Sequence, residues 1–125
     1  MALSWKRLKY SFSHAARGIK EAFESQQNFK IHVFMSGVVL LLSIFLHISM
    51  IETAFVLMSI MFVVVSELLN TATEYFADLI KQEYDINIRK VKDISAAAVL
   101  ISVFISVIVG AMIFIPKIYN LIIIN

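Results

Sequence analysis

The chain contains no cysteine, so neither a disulfide framework nor a thiolate nucleophile or metal ligand is open to it. A single proline, Pro116, and three glycines, Gly18, Gly37 and Gly110, leave little material for a sheet with many turns, and an all-helical fold follows. Charge is sparse: 16% of residues are charged against 60% hydrophobic, a balance that points to lipid as the solvent. Neither a G-x-x-x-x-G-K phosphate loop nor G-x-G-x-x-G nor H-E-x-x-H is present, so a Walker-type ATPase or a zinc hydrolase has no support. His14, His32 and His47 lie in separate segments and read as structural. The first thirty residues lack a continuous apolar core ending in small residues, so a cleavable signal peptide is not expected.

What is present falls into apolar runs separated by blocks of charge. Over residues 3–23, Trp5, Leu8, Phe12, Ala15, Ala16, Ile19, Ala22 and Phe23 recur at steps of three and four, with Lys6, Lys9, Arg17 and Lys20 favouring the other face. That spacing predicts an amphipathic helix on the membrane surface, although an ordinary helix against a soluble partner would share it. Residues 24–30 are polar and break the pattern. Apolar runs of spanning length follow at 33–50, 53–80 and 94–115, the first two joined by a short turn at Ile51 and Glu52, the third stopped by Pro116. The expected architecture is thus an all-α membrane protein of a single domain over residues 1–125: one surface helix and three transmembrane helices.

Lys and Arg counts orient the spans. Six precede the first span (Lys6, Arg7, Lys9, Arg17, Lys20, Lys30) and four lie between the second and third (Lys81, Arg89, Lys90, Lys92). The turn at 51–52 has none and the tail only Lys117, so a multi-pass cell-membrane protein with a cytoplasmic N-terminus is expected.

Ionisable groups near membrane depth are costly unless paired or hydrated, which makes Ser66-Glu67-Leu68-Leu69-Asn70-Thr71-Ala72-Thr73-Glu74 the most informative stretch. At about 100° per residue, Glu67, Asn70, Glu74 and Asp78 share one helical face. Glu67 and Glu74 are separated by about 10 Å along the axis, too far to share one proton or one metal. A carboxylate nearer the lipid can accept a proton from a lipid hydroxyl, and one nearer the cytosol can hold Mg²⁺ on a nucleotide phosphate, with Asn70 orienting either. Spacing alone equally allows a face that joins helices by hydrogen bonds or a solvated helix extension. Lys92-Asp93 likewise has two readings: Lys92 can neutralise a transferred phosphoryl group, or Asp93 can cap the third helix while Lys92 snorkels and Ala96-Ala97-Ala98 lets helices approach.

Glu67-Leu-Leu-Asn70-Thr-Ala-Thr-Glu74, then Asp78, Glu83-Tyr84, Lys92-Asp93 and Ala96-Ala97-Ala98-Val99-Leu100, resembles the small bacterial diacylglycerol kinase and undecaprenol kinase family, with Gly18-Ile19 and Phe29-Lys30 extending the likeness toward the N-terminus. The pattern E-x-x-N-T-A-x-E with Lys-Asp eighteen residues beyond its second glutamate is specific. Asn28-Phe29-Lys30-Ile31-His32 and Pro116-Lys117 look like the Gram-positive branch. The resemblance implies a homotrimer with composite active sites between neighbours at the cytoplasmic interface, and direct transfer of the ATP γ-phosphate to a membrane lipid alcohol. It implies Glu67 as general base and substrate contact, Glu74 as Mg²⁺ and nucleotide ligand, and Asn70 as a nucleotide contact. Lys92 and Asp93 would meet the phosphates, Glu83, Tyr84 and Asp85 the nucleoside, and Ala96 the lipid. Two positions depart from the family pattern. Gln26 stands where a glutamate usually assists Glu74 with metal, offering a carbonyl oxygen without charge, so weaker metal affinity is expected. His14 stands where an aromatic nucleotide contact is common.

The reading that follows is an ATP- and Mg²⁺-dependent kinase of undecaprenol, with diacylglycerol as the alternative substrate and no nucleic-acid partner. A proton-coupled exporter is disfavoured by the odd number of spans, by the position of the polar cluster at one helix end, and by Lys92-Asp93. A non-catalytic membrane scaffold is the remaining alternative, favoured only by Gln26.

Overall fold

A computed structural model describes residues 4–80 and 85–124, which form four helices: α1 (Trp5–Ser25), α2 (Gln27–Phe45), α3 (Met50–Ile80) and α4 (Ile86–Ile124). Three of them, α2, α3 and α4, are long and apolar enough to cross a membrane. With 31 and 39 residues, α3 and α4 span about 46 and 58 Å, more than the ~30 Å hydrocarbon core, so their polar turns extend beyond it.

The helix boundaries shift from those expected, for local reasons. The break between α1 and α2 is confined to Gln26, whose backbone is extended (φ −105°, ψ 116°), and α2 starts at Gln27 instead of residue 33. The turn between α2 and α3 falls at 46–49, before Ile51 and Glu52. The Ile48 N–H reaches the Ser43 carbonyl and the His47 N–H that of Ile44, each at 3.2 Å, with His47 in the left-handed region (φ 47°). This is a Schellman closure, with histidine where glycine is usual. Next, Ser49 and Glu52 form a reciprocal capping box: the Glu52 carboxylate accepts the Ser49 N–H at 2.6 Å, and the Ser49 hydroxyl accepts the Glu52 N–H at 3.3 Å. Glu52 is therefore the first turn of α3.

Pro116 does not stop the third span; α4 continues through it to Ile124. Proline frees one carbonyl a turn earlier, a defect a helix tolerates near a membrane end when neighbouring groups or local adjustment satisfy it. Nor does Asp93 cap α4, which begins seven residues earlier at Ile86. That role falls to Asp85, whose carboxylate accepts the Asn87 N–H at 2.8 Å.

The most extensive packing is between α3 and α4. Small polar residues allow it: Ser102 is fully buried and bonds back to the Val99 carbonyl, while the Ser106 hydroxyl donates across to the Ser59 carbonyl at 3.2 Å. At the end of the bundle bearing the α2–α3 turn, Val56, Ile113 and Phe114 form a core with Leu42, Leu46 and Val109 around it, and Lys117 pairs with Glu52 at 3.0 Å. Elsewhere the large apolar side chains face outward: Leu41, Phe45, Leu100 and Met112 are each about 70% exposed. In water such a surface would be a large unburied patch, whereas in lipid it carries no penalty.

Candidate active site

Antiparallel packing of α2, α3 and α4 gathers the polar residues of the opposite end. Glu67 lies on α3, three and seven residues before Asn70 and Glu74, and its side chain is buried, 3% exposed. Its carboxylate Oε1 lies 3.1 Å from His32 Nε2 on α2. When Glu67 is ionised it can only accept, and the contact is then made by a proton on Nε2. His32 and Glu67 line a groove of about 350 Å³ together with Asn28, Asn70 and Ala96, and it continues along Val99, Leu100 and Val103 of α4. Polar groups occupy one end and an apolar ladder the other.

Asn70, also buried, donates its amide N–H to Glu74 Oε1 at 3.0 Å, and among the described residues its Oδ1 has no partner. Gln26 points its amide nitrogen at Glu74 Oε2 from the α1–α2 break, 3.5 Å away. Glu74 thus receives two neutral amide donors and no cation among the described residues. No group of three or more acidic, His or Cys side chains able to hold a metal occurs among those residues. A single uncompensated carboxylate with an amide beside it fits Mg²⁺ carried in on nucleotide phosphates, since Mg²⁺ keeps several waters and takes only one or two protein carboxylates.

Lys92 Nζ, on α4, contacts Asp78 of α3 at 2.5 Å, which ties Asp78 to α4. Asp93 is exposed and pairs with Arg89 one turn away at 3.6 Å. His14 is on the exposed face of α1 with its ring nitrogen 2.6 Å from Arg17, and it does not line the groove. Asp85 stands at the start of α4, while Glu83 and Tyr84 lie outside the described residues. Of the residues singled out from sequence, Glu67, Asn70 and Ala96 therefore share one groove, Gln26 and Glu74 adjoin it through Asn70, and Lys92 and Asp93 stand apart on the same half of the bundle.

His32 belongs to this site although the sequence made it look structural. Once α2 is known to begin at Gln27, Asn28 and His32 fall four residues apart on one face, a signal hidden while the first span is placed at residue 33.

A helical protein with a buried carboxylate at the head of an apolar groove, and a second carboxylate held by amides beside it, has the parts to act on a hydroxyl carried by a lipid. The model of the prokaryotic diacylglycerol kinase family matches residues 13–114. The undecaprenol kinase of Bacillus subtilis (strain 168) is 37% identical over 107 residues, covering 86% of this chain and 87% of that protein. The diacylglycerol kinase of Synechocystis is 36% identical over 115 residues, covering 91% of this chain and 66% of that protein, and the diacylglycerol kinase of Haemophilus influenzae is 29% identical over 105 residues, covering 83% and 89%. The chain belongs to the prokaryotic diacylglycerol kinase family and is a membrane lipid kinase.

Proposed function

We propose that this kinase transfers the γ-phosphate of ATP to the primary hydroxyl of undecaprenol, giving undecaprenyl phosphate. The observation that carries the reading is the groove itself, in which Glu67 stands at the polar end and Val99, Leu100 and Val103 continue along α4 from Ala96. A lipid alcohol lying there would have its hydroxyl at the carboxylate and its tail against the apolar ladder. The Glu67 carboxylate takes the hydroxyl proton as the alkoxide-like oxygen bonds to the γ-phosphorus. The bond from that phosphorus to the β,γ-bridging oxygen breaks, and ADP leaves with the electron pair. Glu74, with the Gln26 carbonyl once that amide is turned, would hold Mg²⁺, which when bound supplies charge neutralisation to the phosphates. Asn70 has an amide oxygen with no partner among the described residues to offer the nucleotide, and Lys92 and Asp93, with Asp85, Glu83, Tyr84 and His14, complete the proposed nucleotide contacts.

The site faces the cytoplasm in this reading, because the ATP-binding end carries the larger share of Lys and Arg. The protein works as a homotrimer, in which α1 rests on the membrane surface and residues of a neighbour close the site. The B. subtilis relative is named for undecaprenol and the Synechocystis relative for diacylglycerol at nearly equal identity, so phosphorylation of diacylglycerol is the second reading. Both alcohols present a primary hydroxyl and differ mainly in their tails.

The test offers purified protein Mg²⁺-ATP with undecaprenol or with diacylglycerol in mixed micelles and measures phosphate in the lipid phase. Higher kcat/KM with undecaprenol is expected. Higher kcat/KM with diacylglycerol selects the second reading, and no phosphorylated lipid from either alcohol overturns both.

A further inference from the structure

Glu67 is a carboxylate withdrawn from water, 3% exposed, and its side chain has one polar partner among the described residues, His32. Glu74 adds a second negative charge on the same face of α3, and the other groups around the pair are neutral or bonded elsewhere. On α4 the groove is lined by Ala96, Val99, Leu100 and Val103, with no titratable side chain. On α3, Glu74 is held by the Asn70 and Gln26 amides, and Asp78 is taken by Lys92. On α1, Glu21 accepts the Tyr75 hydroxyl at 3.2 Å. His32 itself is three-quarters buried and sits on the first turns of α2, a helix separate from the one that carries the carboxylate.

We infer that His32 is a positioning residue for phosphoryl transfer, pinning one oxygen of Glu67 through its Nε2–H so that the other is free to take the proton of the lipid hydroxyl. The inference rests on the assignment of Glu67 as base. A carboxylate on a three-bond side chain has several rotamers, and a base must present a lone pair within hydrogen-bond reach of the hydroxyl. The imidazole removes that freedom and supplies the hydrogen bond that a carboxylate withdrawn from water needs in place of its hydration. Because the anchor is on α2, the rotamer is set by packing of one helix against another.

Such a residue acts on turnover and only through Glu67, which distinguishes it from a residue that merely supports the fold. In the full-length protein in mixed micelles, His32→Leu should lower kcat by about 10- to 100-fold, the worth of a hydrogen bond to a charged group, while KM for ATP moves less than about 3-fold. His32→Gln, whose amide nitrogen can replace Nε2, should recover most of the lost kcat. In a Glu67→Gln background, His32→Leu should bring no further loss, since the two residues act as a unit.

Native kcat in folded His32→Leu overturns the inference. So does a loss confined to KM, a His32→Gln variant as impaired as His32→Leu, or losses that multiply in the double variant. If His32→Leu leaves the carboxylate so poorly solvated that the protein does not assemble, His32→Asn, whose amide falls one bond short of Glu67, is read by the same criteria. Failure of the unaltered protein to phosphorylate any lipid alcohol, or native turnover in Glu67→Gln, would instead strike the reading on which the inference rests.

Discussion

Glu67 and Glu74 are two turns apart on one helix, yet their surroundings differ in kind. Glu67 is buried against an imidazole and an apolar groove, whereas Glu74 is partly open and, among the described residues, touched only by neutral amides. The first arrangement suits a proton acceptor close to lipid and the second a ligand for a cation that arrives with phosphate. Glu67→Gln keeps shape and hydrogen bonding but removes the base, and phosphoryl transfer should fall by about 10²- to 10⁴-fold with helix content unchanged in circular dichroism. Near-native turnover would remove Glu67 from the role. Gln26→Glu adds a charged oxygen donor facing Glu74, so half-maximal activity should need less Mg²⁺; a titration that superimposes on that of the unaltered protein would count against Gln26 as part of the metal site.

At the scale of the element, the α2–α3 connection combines a Schellman closure at His47 with a capping box at Ser49 and Glu52, in a turn four residues long. It fixes the hairpin that sets α2 against α3 and, at the far end of the same helices, His32 against Glu67. Ser49→Ala removes one half of the box and should destabilise the protein by about 1 kcal/mol, measured as the unfolding midpoint in mixed detergent micelles. His47→Gly relieves the left-handed backbone of a side chain and should stabilise the protein by up to about 1 kcal/mol, read as a higher midpoint. Either change leaves the site chemistry untouched, so kcat should follow only the folded fraction.

For the whole molecule, the main fact is how little apolar surface the chain buries on its own. Leu100, on the groove, and Phe45, Met58 and Met112 elsewhere are exposed on helices long enough to span a bilayer. Lipid can cover such a surface, and so can further copies of the chain. The proposed trimer predicts that cross-linking in a bilayer gives a ladder ending at three, and that mixing Glu67→Gln with Lys92→Ala chains restores activity if the site is shared between neighbours. A monomer that retains full turnover would confine the site to one chain.

Much of the molecule is legible in its amino-acid sequence. Three spanning helices follow from apolar runs longer than a soluble core needs, and Glu67, Asn70 and Glu74 stand out because carboxylates beside such runs are costly. The capping box is also readable as Ser49-x-x-Glu52, though the apolar pattern draws the turn a few residues too late. What tertiary structure alone decided is which side chain from another helix meets each of these groups. Hydropathy reports the solvent of a residue and periodicity its face, but neither reports the axial register of one helix against the next. The α2–α3 register, set across the turn at 46–49, turned an apparently structural His32 into the partner of Glu67, and the packing of α4 against α3 gave Asp78 to Lys92.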